Sequence, residues 1–397
     1  MTHRVLVLGA GYAGLMVARR LARQLRPDDV DIAVVNPRDV FVERIRMHQL
    51  AVGQELERLE IRPLLDSVGA RLIVGKAVAV DPDRRRVRVA ADDGERELDY
   101  DTLVYAIGSV ADMSGAAGAA EHAWHVADRE AALRLRRRLE ELESGADVSV
   151  VGGGMTGLEA ATEIAETRPD LRVRLVDADE PGGWLSRRAR AHLAGVLDRL
   201  GVIVHDDALV AEVRPDALST VDGQSIPSAV TVWSAGFRPL SLARESGLDV
   251  HADGRIHVDK TMRSASHPDV YAVGDAAAVV GPQGTLLRMA CGTAVPMAFQ
   301  ASDAIAARLS GREPHRFVFR YFAHNISLGR REGLIQFVHA DDSVGRAVLT
   351  GKAAMHYKEQ VSRGGLFIMR HAGPYLPHRR RAVSAKASSR GDVKAAL

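Results

Sequence analysis

Two glycine-rich turns have the residue types and the spacing that bind a dinucleotide. The first reads Gly9-Ala-Gly11-Tyr12-Ala13-Gly14, and the second reads Gly152-Gly-Gly154-Met155-Thr156-Gly157. In this pattern the first glycine permits a tight turn, the second lets the backbone approach a pyrophosphate, and the third lets helix and strand pack closely. The N-terminus of the helix then faces the anion. The repetition predicts two dinucleotide sites in one chain.

A polar residue follows each glycine turn at the distance where such folds bind a ribose. Asp177 lies about twenty residues after Gly157, and Asn36 lies about twenty-two residues after Gly14. A carboxylate there accepts hydrogen bonds from ribose hydroxyls, whereas Asn36 would bind a hydroxyl without charge assistance. The alternative is that Asp177 is only a polar residue at the end of a strand.

The elements around the two turns are predicted to be the same. An apolar run typical of a buried parallel strand precedes each turn, and a helix and another strand follow it. The first unit comprises strand 4–8, helix 15–26 and strand 30–35, and the second comprises strand 148–151, helix 158–166 and strand 173–176. The duplication predicts an α/β fold with two Rossmann-like units.

The rest of the chain shows shorter patterns. Alternation or apolar runs predict strands at 71–80, 86–89, 100–107, 230–236, 270–273, 317–321, 334–338 and 347–349. Helical spacing of apolar residues predicts helices at 131–143, 293–309 and 353–361. The strands and helix after residue 316 predict a C-terminal α+β segment.

Composition and charge exclude several classes of protein. A net charge of +2 over 397 residues argues against a nucleic-acid partner. The single cysteine, Cys291, excludes an internal disulfide and a redox dithiol. No apolar run approaches the roughly 18 residues of a membrane span, and no room for a secretory signal precedes the first strand. We therefore expect a cytoplasmic protein, and no metal site, because its histidines lack ligand spacing.

The last residues, 378–397, are predicted to form a disordered basic tail because they lack apolar residues that could join a core. The tail contains one acidic residue, Asp392, and six basic residues: Arg379, Arg380, Arg381, Lys386, Arg390 and Lys394. Such a segment could touch an anionic membrane surface, which would place the protein peripherally at the inner membrane face.

Four spaced motifs together resemble a known superfamily. Besides the two glycine turns, the chain contains Asp101-Thr-Leu-Val-Tyr-Ala-Ile-Gly108 and Val270-Tyr-Ala-Val-Gly274-Asp275. Over roughly residues 4–360 it resembles the FAD-dependent pyridine nucleotide oxidoreductases, especially type II NADH dehydrogenases and apoptosis-inducing-factor-like flavoproteins. The resemblance implies a discontinuous FAD domain at 1–112 and 237–316, an inserted NADH domain at 113–236, and the C-terminal segment at 317–377.

The resemblance also implies which residues contact the cofactors. FAD would be bound by Gly9, Gly11, Tyr12, Ala13, Gly14, Asn36, Arg44, Val78, Ala106, Gly108, Gly274 and Asp275. In this set Val78 would contact adenine through its backbone, and Asp275 would bind the ribityl chain. NADH would be bound by Gly152, Gly154, Met155, Thr156, Gly157, Asp177 and Gly236.

Three further residues are candidates for the chemistry. The resemblance places Glu159 near the nicotinamide, although a glutamate in the first helical turn is also favoured by the helix dipole alone. His48 could donate a proton to a quinone, with a purely structural role as the alternative. Gln300 shares a helix face with Pro296 four residues earlier, where relatives place two glutamines beside the quinone.

The favoured function is hydride transfer from NADH to FAD, with electrons passed on to a quinone-type acceptor. Two alternatives remain: a soluble NADH-dependent oxidoreductase with a biosynthetic small-molecule acceptor, and a redox sensor with weak turnover. The membrane-anchoring C-terminal helices of the family are not evident, since the apolar run 366–369 is brief and prolines follow at 374 and 377. We therefore expect small quinones to be better acceptors than long-tailed ones. The sequence leaves undecided whether the protein forms a homodimer.

Overall fold

Two parallel sheets flanked by helices dominate the architecture, as the duplicated sequence pattern predicts. The computed structural model describes residues 2–371 and 379–384. Each of the two large sheets has five strands, and all neighbouring strands within each sheet are parallel. The predicted α/β class is confirmed.

The first part of the chain builds most of one parallel sheet and a smaller antiparallel one. Its helices are α1 (Tyr12–Gln24), α2 (Met47–Ala51) and α3 (Ile61–Asp66). Its strands are β1 (His3–Leu8), β2 (Val30–Asn36), β3 (Val40–Phe41), β4 (Leu59–Glu60), β5 (Arg71–Val74), β6 (Lys76–Asp81), β7 (Arg86–Ala91), β8 (Gly94–Asp99), β9 (Thr102–Tyr105) and β10 (Ser109–Ala111).

The middle part builds the second parallel sheet. Its helices are α4 (Ala119–His122), α5 (Arg129–Glu140), α6 (Met155–Thr167) and α7 (Arg187–Arg199). Its strands are β11 (Ala123–Trp124), β12 (Asp147–Val151), β13 (Arg172–Val176), β14 (Ile203–His205), β15 (Val210–Val213), β16 (Ala217–Thr220), β17 (Ser225–Pro227) and β18 (Val230–Trp233). The order of the parallel sheet is β11-β18-β12-β13-β14.

The chain then returns to the first sheet. The return comprises β19 (Phe237–Pro239), α8 (Leu242–Glu245), β20 (Ile256–His257), β21 (Val270–Ala272), β22 (Ala277–Ala278) and α9 (Cys291–Leu309). Strand β21 pairs with β9, which gives the order β21-β9-β1-β2-β5. In both sheets the strand before the glycine turn is therefore central, so each turn lies at the carboxyl edge of the middle strand.

The register of the first sheet shows why these residues form strands. Val5 pairs with Ile32 and Val7 with Val34, and all four side chains are buried. A parallel strand covered on both faces reads as a continuous apolar run rather than as an alternation. Helix α1 packs against α9 beside this sheet, which gives the first sheet its second layer.

The last described elements connect the two sheets. They are β23 (Ala323–Leu328), β24 (Glu332–Val338), β25 (Val344–Thr350) and α10 (Gly351–His371), and the three strands form an antiparallel sheet. Ile326 and Leu334 join the core of the second parallel sheet, while Met369 joins the core of the first. Among helices in the described ranges, none has the length and apolar character to cross a membrane.

Three predicted elements need correction. The strand predicted at 71–80 is two strands, β5 and β6, because Gly75 separates them into different sheets. The strand predicted at 317–321 is wrong: this stretch is extended, and its backbone bonds from Phe317 to Lys260 and from Tyr321 to Ala340 form no ladder. The helix predicted at 353–361 extends over 351–371.

The disorder predicted beyond residue 378 is wrong for residues 379–384. Arg381 exchanges backbone hydrogen bonds with Gln24 and Arg26 at 2.8 and 2.9 Å, and the N–H of Ser384 donates to the carbonyl of Leu309 at 2.7 Å. Backbone pairing thus holds the segment although it has few apolar side chains. Residues 372–378 and 385–397, including Pro374, Pro377 and the basic residues Lys386, Arg390 and Lys394, lie outside the described residues.

Candidate functional site

A cavity of about 770 Å³ opens at the carboxyl edge of the first parallel sheet. Its walls include the first glycine turn with its neighbouring strand ends, the segments 40–48 and 126–128, the start of helix α6, and segments after residue 287. Ligands of open α/β sheets bind outside the carboxyl ends of the strands. The cavity therefore lies where the sequence pattern predicts a cofactor.

The first glycine turn has the geometry of a pyrophosphate cradle. A Cβ on Gly14 would lie 1.9 Å from the carbonyl oxygen of Gly9, so this position packs helix against strand and admits only glycine. A Cβ on Gly11 would meet nothing within 4 Å, and the helix N-terminus has no side-chain cap there. Asn36 Oδ1 accepts a hydrogen bond from the N–H of Ala10 at 2.9 Å. Uncapped amides thus face open space.

Arg44 and Asp275 form a polar group on the same cavity wall. Arg44 donates to the carbonyl and the hydroxyl of Ser109 at 2.9 and 3.0 Å, and the Ser109 hydroxyl donates to Asp275 Oδ2 at 2.7 Å. One terminal nitrogen of Arg44 is buried without a hydrogen-bond partner in the described structure. Burial lowers the pKa of Arg44, against the opposing effect of Asp275. A buried, unpartnered guanidinium nitrogen and an uncapped helix N-terminus in the walls of one cavity fit the polar and anionic parts of FAD.

The second glycine turn repeats the packing of the first. A Cβ on Gly157 would lie 1.8 Å from the carbonyl oxygen of Gly152, whereas a Cβ on Gly154 would meet nothing within 4 Å. Asp177 Oδ1 accepts a hydrogen bond from the N–H of Ala178 at 3.0 Å. Burial raises the pKa of Asp177, while backbone hydrogen bonds from Gly153 and Ala178 oppose the rise. The same local geometry thus occurs twice.

A buried polar cluster lies where α6 meets β23 and α10. Lys358 Nζ is 2.8 Å from Glu159 Oε1 and donates to the carbonyl of Asn325 at 2.8 Å. Ser327 donates its N–H and its hydroxyl to the same Glu159 oxygen at 3.1 and 3.2 Å. His48 Nδ1 is 3.8 Å from Glu159 Oε2. The cluster brings together residues far apart in the sequence.

Burial and neighbouring charges act in opposite directions on this cluster. Burial favours the neutral form of Glu159, but Lys358, His48 and Ser327 together outweigh burial and lower the pKa of the carboxyl. Burial lowers the pKa of His48 to about 4, although Glu159 opposes it. At neutral pH the cluster therefore holds a carboxylate beside an uncharged imidazole.

Most of the predicted site residues line the cavity. They are Gly9, Gly11, Tyr12, Ala13, Asn36, Arg44, His48, Ala106, Gly108, Met155, Thr156, Glu159, Gly274 and Asp275. Three predicted glycines, Gly14, Gly152 and Gly157, pack inside the turns or against neighbouring backbone instead. Gly154 lies in the second turn and Asp177 lies beside it, both outside the walls of this cavity.

Three further predicted site residues lie outside the walls of this cavity, and their roles remain predictions. Val78 does not line the cavity, because Gly75 ends the preceding strand and the pairing of β6 is irregular at this point, so that Gly75, Lys76 and Ala77 form the wall. Gly236 lies in the connection between the sheets, where its carbonyl accepts a hydrogen bond from Asp112.

Gln300 is the third predicted site residue outside the cavity wall. Its side chain donates to the carbonyl of His315, and it does not reach the cavity, whereas Pro296 does. Helix α9 is therefore oriented so that only its beginning, as far as Pro296, meets the cavity.

The sequence did not indicate several residues of the site. Lys358 and Ser327 complete the cluster around Glu159, and Arg288 and His324 line another part of the cavity. None belongs to a dinucleotide motif, so no local pattern marks them. In the described ranges no group of His, Cys, Asp or Glu is arranged to hold a metal ion.

Three stretches that lie outside the glycine motifs in the sequence, 288–296, 319–325 and 358–362, also line the cavity, and we call this part of it the C-terminal compartment. Apolar and aromatic side chains line much of it, including Pro296, Phe319, Phe322 and Val361. Phe322 is 66% exposed, so it marks the rim. No cofactor motif contributes to this compartment, which leaves room for a second ligand.

Two proteins of Mycobacterium tuberculosis have amino-acid sequences similar to this chain. An NADH dehydrogenase-like protein of Mycobacterium tuberculosis is 30% identical over 315 residues, covering 74% of this chain and 78% of the relative. The type II NADH:quinone oxidoreductase of the same organism is 30% identical over 365 residues, covering 81% and 76%.

Solved structures show the same fold. NDH2 from Plasmodium falciparum in complex with NADH aligns with a TM-score of 0.79 at 14% identity, over 94% of this chain and 98% of that one. The sulfide:quinone oxidoreductase of Aquifex aeolicus aligns with a TM-score of 0.79 at 20% identity, over 94% and 92%.

The family comparison agrees with the cavity and its glycine turns. The family described as pyridine nucleotide-disulphide oxidoreductase matches residues 3–301. This range contains both turns, Asp275 and the start of α9. The chain therefore belongs to the pyridine nucleotide-disulphide oxidoreductase family and is an FAD-dependent enzyme that uses a pyridine nucleotide.

Proposed function

We propose that the protein is an NADH dehydrogenase that takes a hydride from NADH and passes electrons to a small quinone-type acceptor. One observation carries the proposal: a single cavity joins the first glycine turn, the start of α6 and the C-terminal compartment. A nicotinamide dinucleotide, a flavin and an acceptor can thus share one continuous space. The relatives named as NADH:quinone oxidoreductases support the same reaction.

Bound FAD would accept a hydride from the nicotinamide and return two electrons to an acceptor. The first glycine turn and Arg44 would hold its pyrophosphate and other polar groups, and Asn36 its adenosine ribose. Met155 and Thr156 would hold the pyridine nucleotide at the start of α6, with Asp177 at its ribose. The protein's contribution is alignment and exclusion of water.

The cluster around Glu159 would handle protons. NADH and a quinone yield NAD⁺ and a quinol only if one proton comes from solvent. Lys358 lines the cavity and lies 2.8 Å from Glu159, so its Nζ can donate a proton to a carbonyl oxygen of the acceptor and recover one through Glu159. His48, uncharged at neutral pH, would be a positioning residue that fixes the Glu159 carboxylate.

Stopped-flow absorbance of the flavin tests the proposal in two half-reactions. NADH should bleach the flavin, and menadione should then restore its colour faster than oxygen does. A sensor with incidental turnover would reoxidise slowly with every quinone. A biosynthetic oxidoreductase would show fast reduction by NADH but no preference for quinones, and either result would remove the quinone assignment.

We also propose that any contact with a membrane is peripheral and involves the basic residues near the end of the chain. Arg379 and Arg380 are exposed beside the segment that pairs with α1. Each cation close to an anionic bilayer contributes at most about 1 kcal/mol. Sedimentation with vesicles containing phosphatidylserine should weaken when both are changed to glutamine; unchanged sedimentation would contradict the proposal.

A further inference from the structure

Arg288 is a fixed cation in the wall of the C-terminal compartment. Its guanidinium lies over the ring of Tyr321, 4.7 Å from the ring centroid. It approaches Nδ1 of His324 at 2.5 Å and Oδ1 of Asp342 at 3.1 Å. These contacts come from three directions, so the side chain has little freedom to move.

The imidazole ring of His324 fixes the position of Arg288 when the ring is uncharged. Burial and the charge of Arg288 lower the pKa of His324 to about 4, so Nδ1 can accept the hydrogen bond from Arg288. Its Nε2 lies 3.3 Å from the same Asp342 oxygen and can donate to it. Arg288, His324 and Asp342 thus form a closed triangle in which each group has a partner.

The guanidinium still has donors to spare. Arginine carries five N–H bonds, and the triangle engages only the two terminal nitrogens. Nε is buried and has no hydrogen-bond partner in the part of the chain that the structure describes. An oriented arginine with a free N–H binds carboxylates, sulfonates and phosphates better than a flexible lysine does.

The charges around the compartment favour an anion. The three stretches that build it contribute Arg288, Arg320 and Lys358 to the cavity wall and no carboxylate. Lys358 is already paired with Glu159, and Asp342 compensates part of the charge of Arg288 from behind the wall. Aromatic and apolar side chains, among them Phe319 and Pro296, line the same stretches, which suits a flat ring.

We propose that the acceptor is an aromatic carbonyl compound that carries an anionic substituent, and that Arg288 binds this substituent. The inference rests on the proposed function, because it names the class of acceptor for the same cavity. It gives Arg288 a role in acceptor specificity and none in the reaction with NADH.

Paired acceptors test the proposal. The enzyme is reduced with NADH and reoxidised by menadione or by its sulfonated derivative, and the ratio of the two rate constants per acceptor concentration is measured. The wild type should prefer the sulfonate, and Arg288→Met should lower the ratio at least tenfold, or about 1.4 kcal/mol. Arg288→Lys should retain part of the preference. Arg316→Met removes an exposed arginine outside the cavity and should leave the ratio unchanged.

A second measurement needs no variant, in case loss of Arg288 destabilises the fold. Naphthalene-2-sulfonate should compete with menadione in the wild type with an inhibition constant at least tenfold lower than that of naphthalene-2-sulfonamide. Equal inhibition by the two, or an unchanged acceptor ratio in a folded Arg288→Met variant, would overturn the role of Arg288. Failure of both quinones to reoxidise the wild type would instead refute the proposed function.

Discussion

The pair of Glu159 and Lys358 shows how one residue sets the charge of another in this cavity. Both side chains are largely buried, with 9% and 15% of the side chain exposed. A buried carboxylate without a partner would take up a proton, because burial disfavours the charged form. Lys358 is the largest of the influences that reverse this outcome, with His48 and Ser327 adding to it, so that the cavity keeps a negative charge at the start of α6.

Replacing Lys358 should therefore reverse the sign of the pH dependence that the Glu159 carboxyl gives to the stability of the protein. In the wild type the lowered pKa of Glu159 contributes stability above the carboxyl's unfolded pKa, and that contribution is lost as the pH falls through the folded pKa. In Lys358→Met burial raises the pKa instead, so the variant loses stability as the pH rises above the unfolded value. At pH 8 we expect a loss of about 3–5 kcal/mol, and less at pH 5.

Urea unfolding at both pH values measures the effect, with Lys352→Met as the control. Lys352 is an exposed lysine in the first turn of the same helix. Equal losses at pH 5 and pH 8 for Lys358→Met would show that Lys358 does not set the ionisation of Glu159.

Asp177 should decide between NADH and NADPH. A carboxylate that accepts ribose hydroxyls repels a 2′-phosphate, so we expect a preference for NADH of about tenfold or more in kcat/KM. Asp177→Ser should reduce that preference. Asp179→Ser, two residues further along and exposed, is the matched control. An Asp177→Ser variant that keeps the wild-type ratio would rule out the ribose role.

Motifs reveal only part of the site. Glu159 and His48 could be nominated because each follows a recognisable glycine turn or strand. Lys358 could not, because it meets Glu159 only through the packing of α10 on β23. The position of Gln300 outside the cavity could not be predicted for the same reason: helical spacing predicts which residues share a face, but not which way that face is turned.

At the scale of the elements, the second and third glycines of the first turn should behave differently. Gly11→Val should leave the apoprotein folded, since a Cβ there meets nothing within 4 Å, but it should abolish FAD retention by filling the cradle. Gly14→Val should disrupt the fold itself, since its Cβ would lie 1.9 Å from a backbone oxygen. Circular dichroism and the flavin content of purified protein distinguish the two. A flavin-loaded Gly11→Val protein would contradict the assignment of the cradle.

Truncation tests whether residues 379–384 stabilise the first sheet. Deleting residues 379–397 removes the backbone bonds of Arg381 and Ser384 and the bond from the N–H of Val383 to Asp29. Each such bond contributes about 0.5–1.5 kcal/mol net, so we expect a loss of about 1–3 kcal/mol after the cost of ordering the segment. Deleting only residues 385–397 is the control and should leave the melting temperature unchanged. Equal stability of the two truncated proteins would contradict a structural role for the segment.

Strands could be predicted from the sequence where both of their faces are buried along the whole strand. Strands such as β1 and β12 follow from their apolar runs, and helices α1 and α6 follow from the glycine turns before them. The stretch 317–321 was mistaken for a strand because its alternating aromatic residues also suit an unpaired segment that packs against the core and lines the cavity from Phe319 onward. The paired segment 379–384 was missed because backbone hydrogen bonds leave no mark in composition.

For the whole molecule, the cavity links parts of the chain that otherwise have separate cores. Its walls include the first glycine turn, α6 and β23, and the two large hydrophobic clusters lie on either side. The boundaries at 112, 236 and 316 remain predictions. A ligand in this cavity would contact the first glycine turn, α6 and the C-terminal compartment together, so its removal should affect the stability of all three.

Removing FAD should therefore lower stability well beyond the first glycine turn. A ligand present at a thousand times its dissociation constant stabilises the folded state by about 4 kcal/mol. Hydrogen exchange should speed up at the amides of 319–325 in the apoprotein, and the sheet of β15, β16 and β17, which does not line the cavity, should keep its protection. Protection that is unchanged at 319–325 would show that FAD binding is confined to the first domain.

The family match ends at residue 301, so that two of the three stretches of the C-terminal compartment, 319–325 and 358–362, lie beyond it, whereas the third, with Arg288, lies within it. Most of the wall proposed to bind the acceptor thus follows both glycine turns in the chain. A graft of residues 317–371 from another family member would change this part of the wall and leave Arg288 and both glycine turns in place. Such a graft must keep its seam intact, since Ile326 and Met369 are fully buried in different cores.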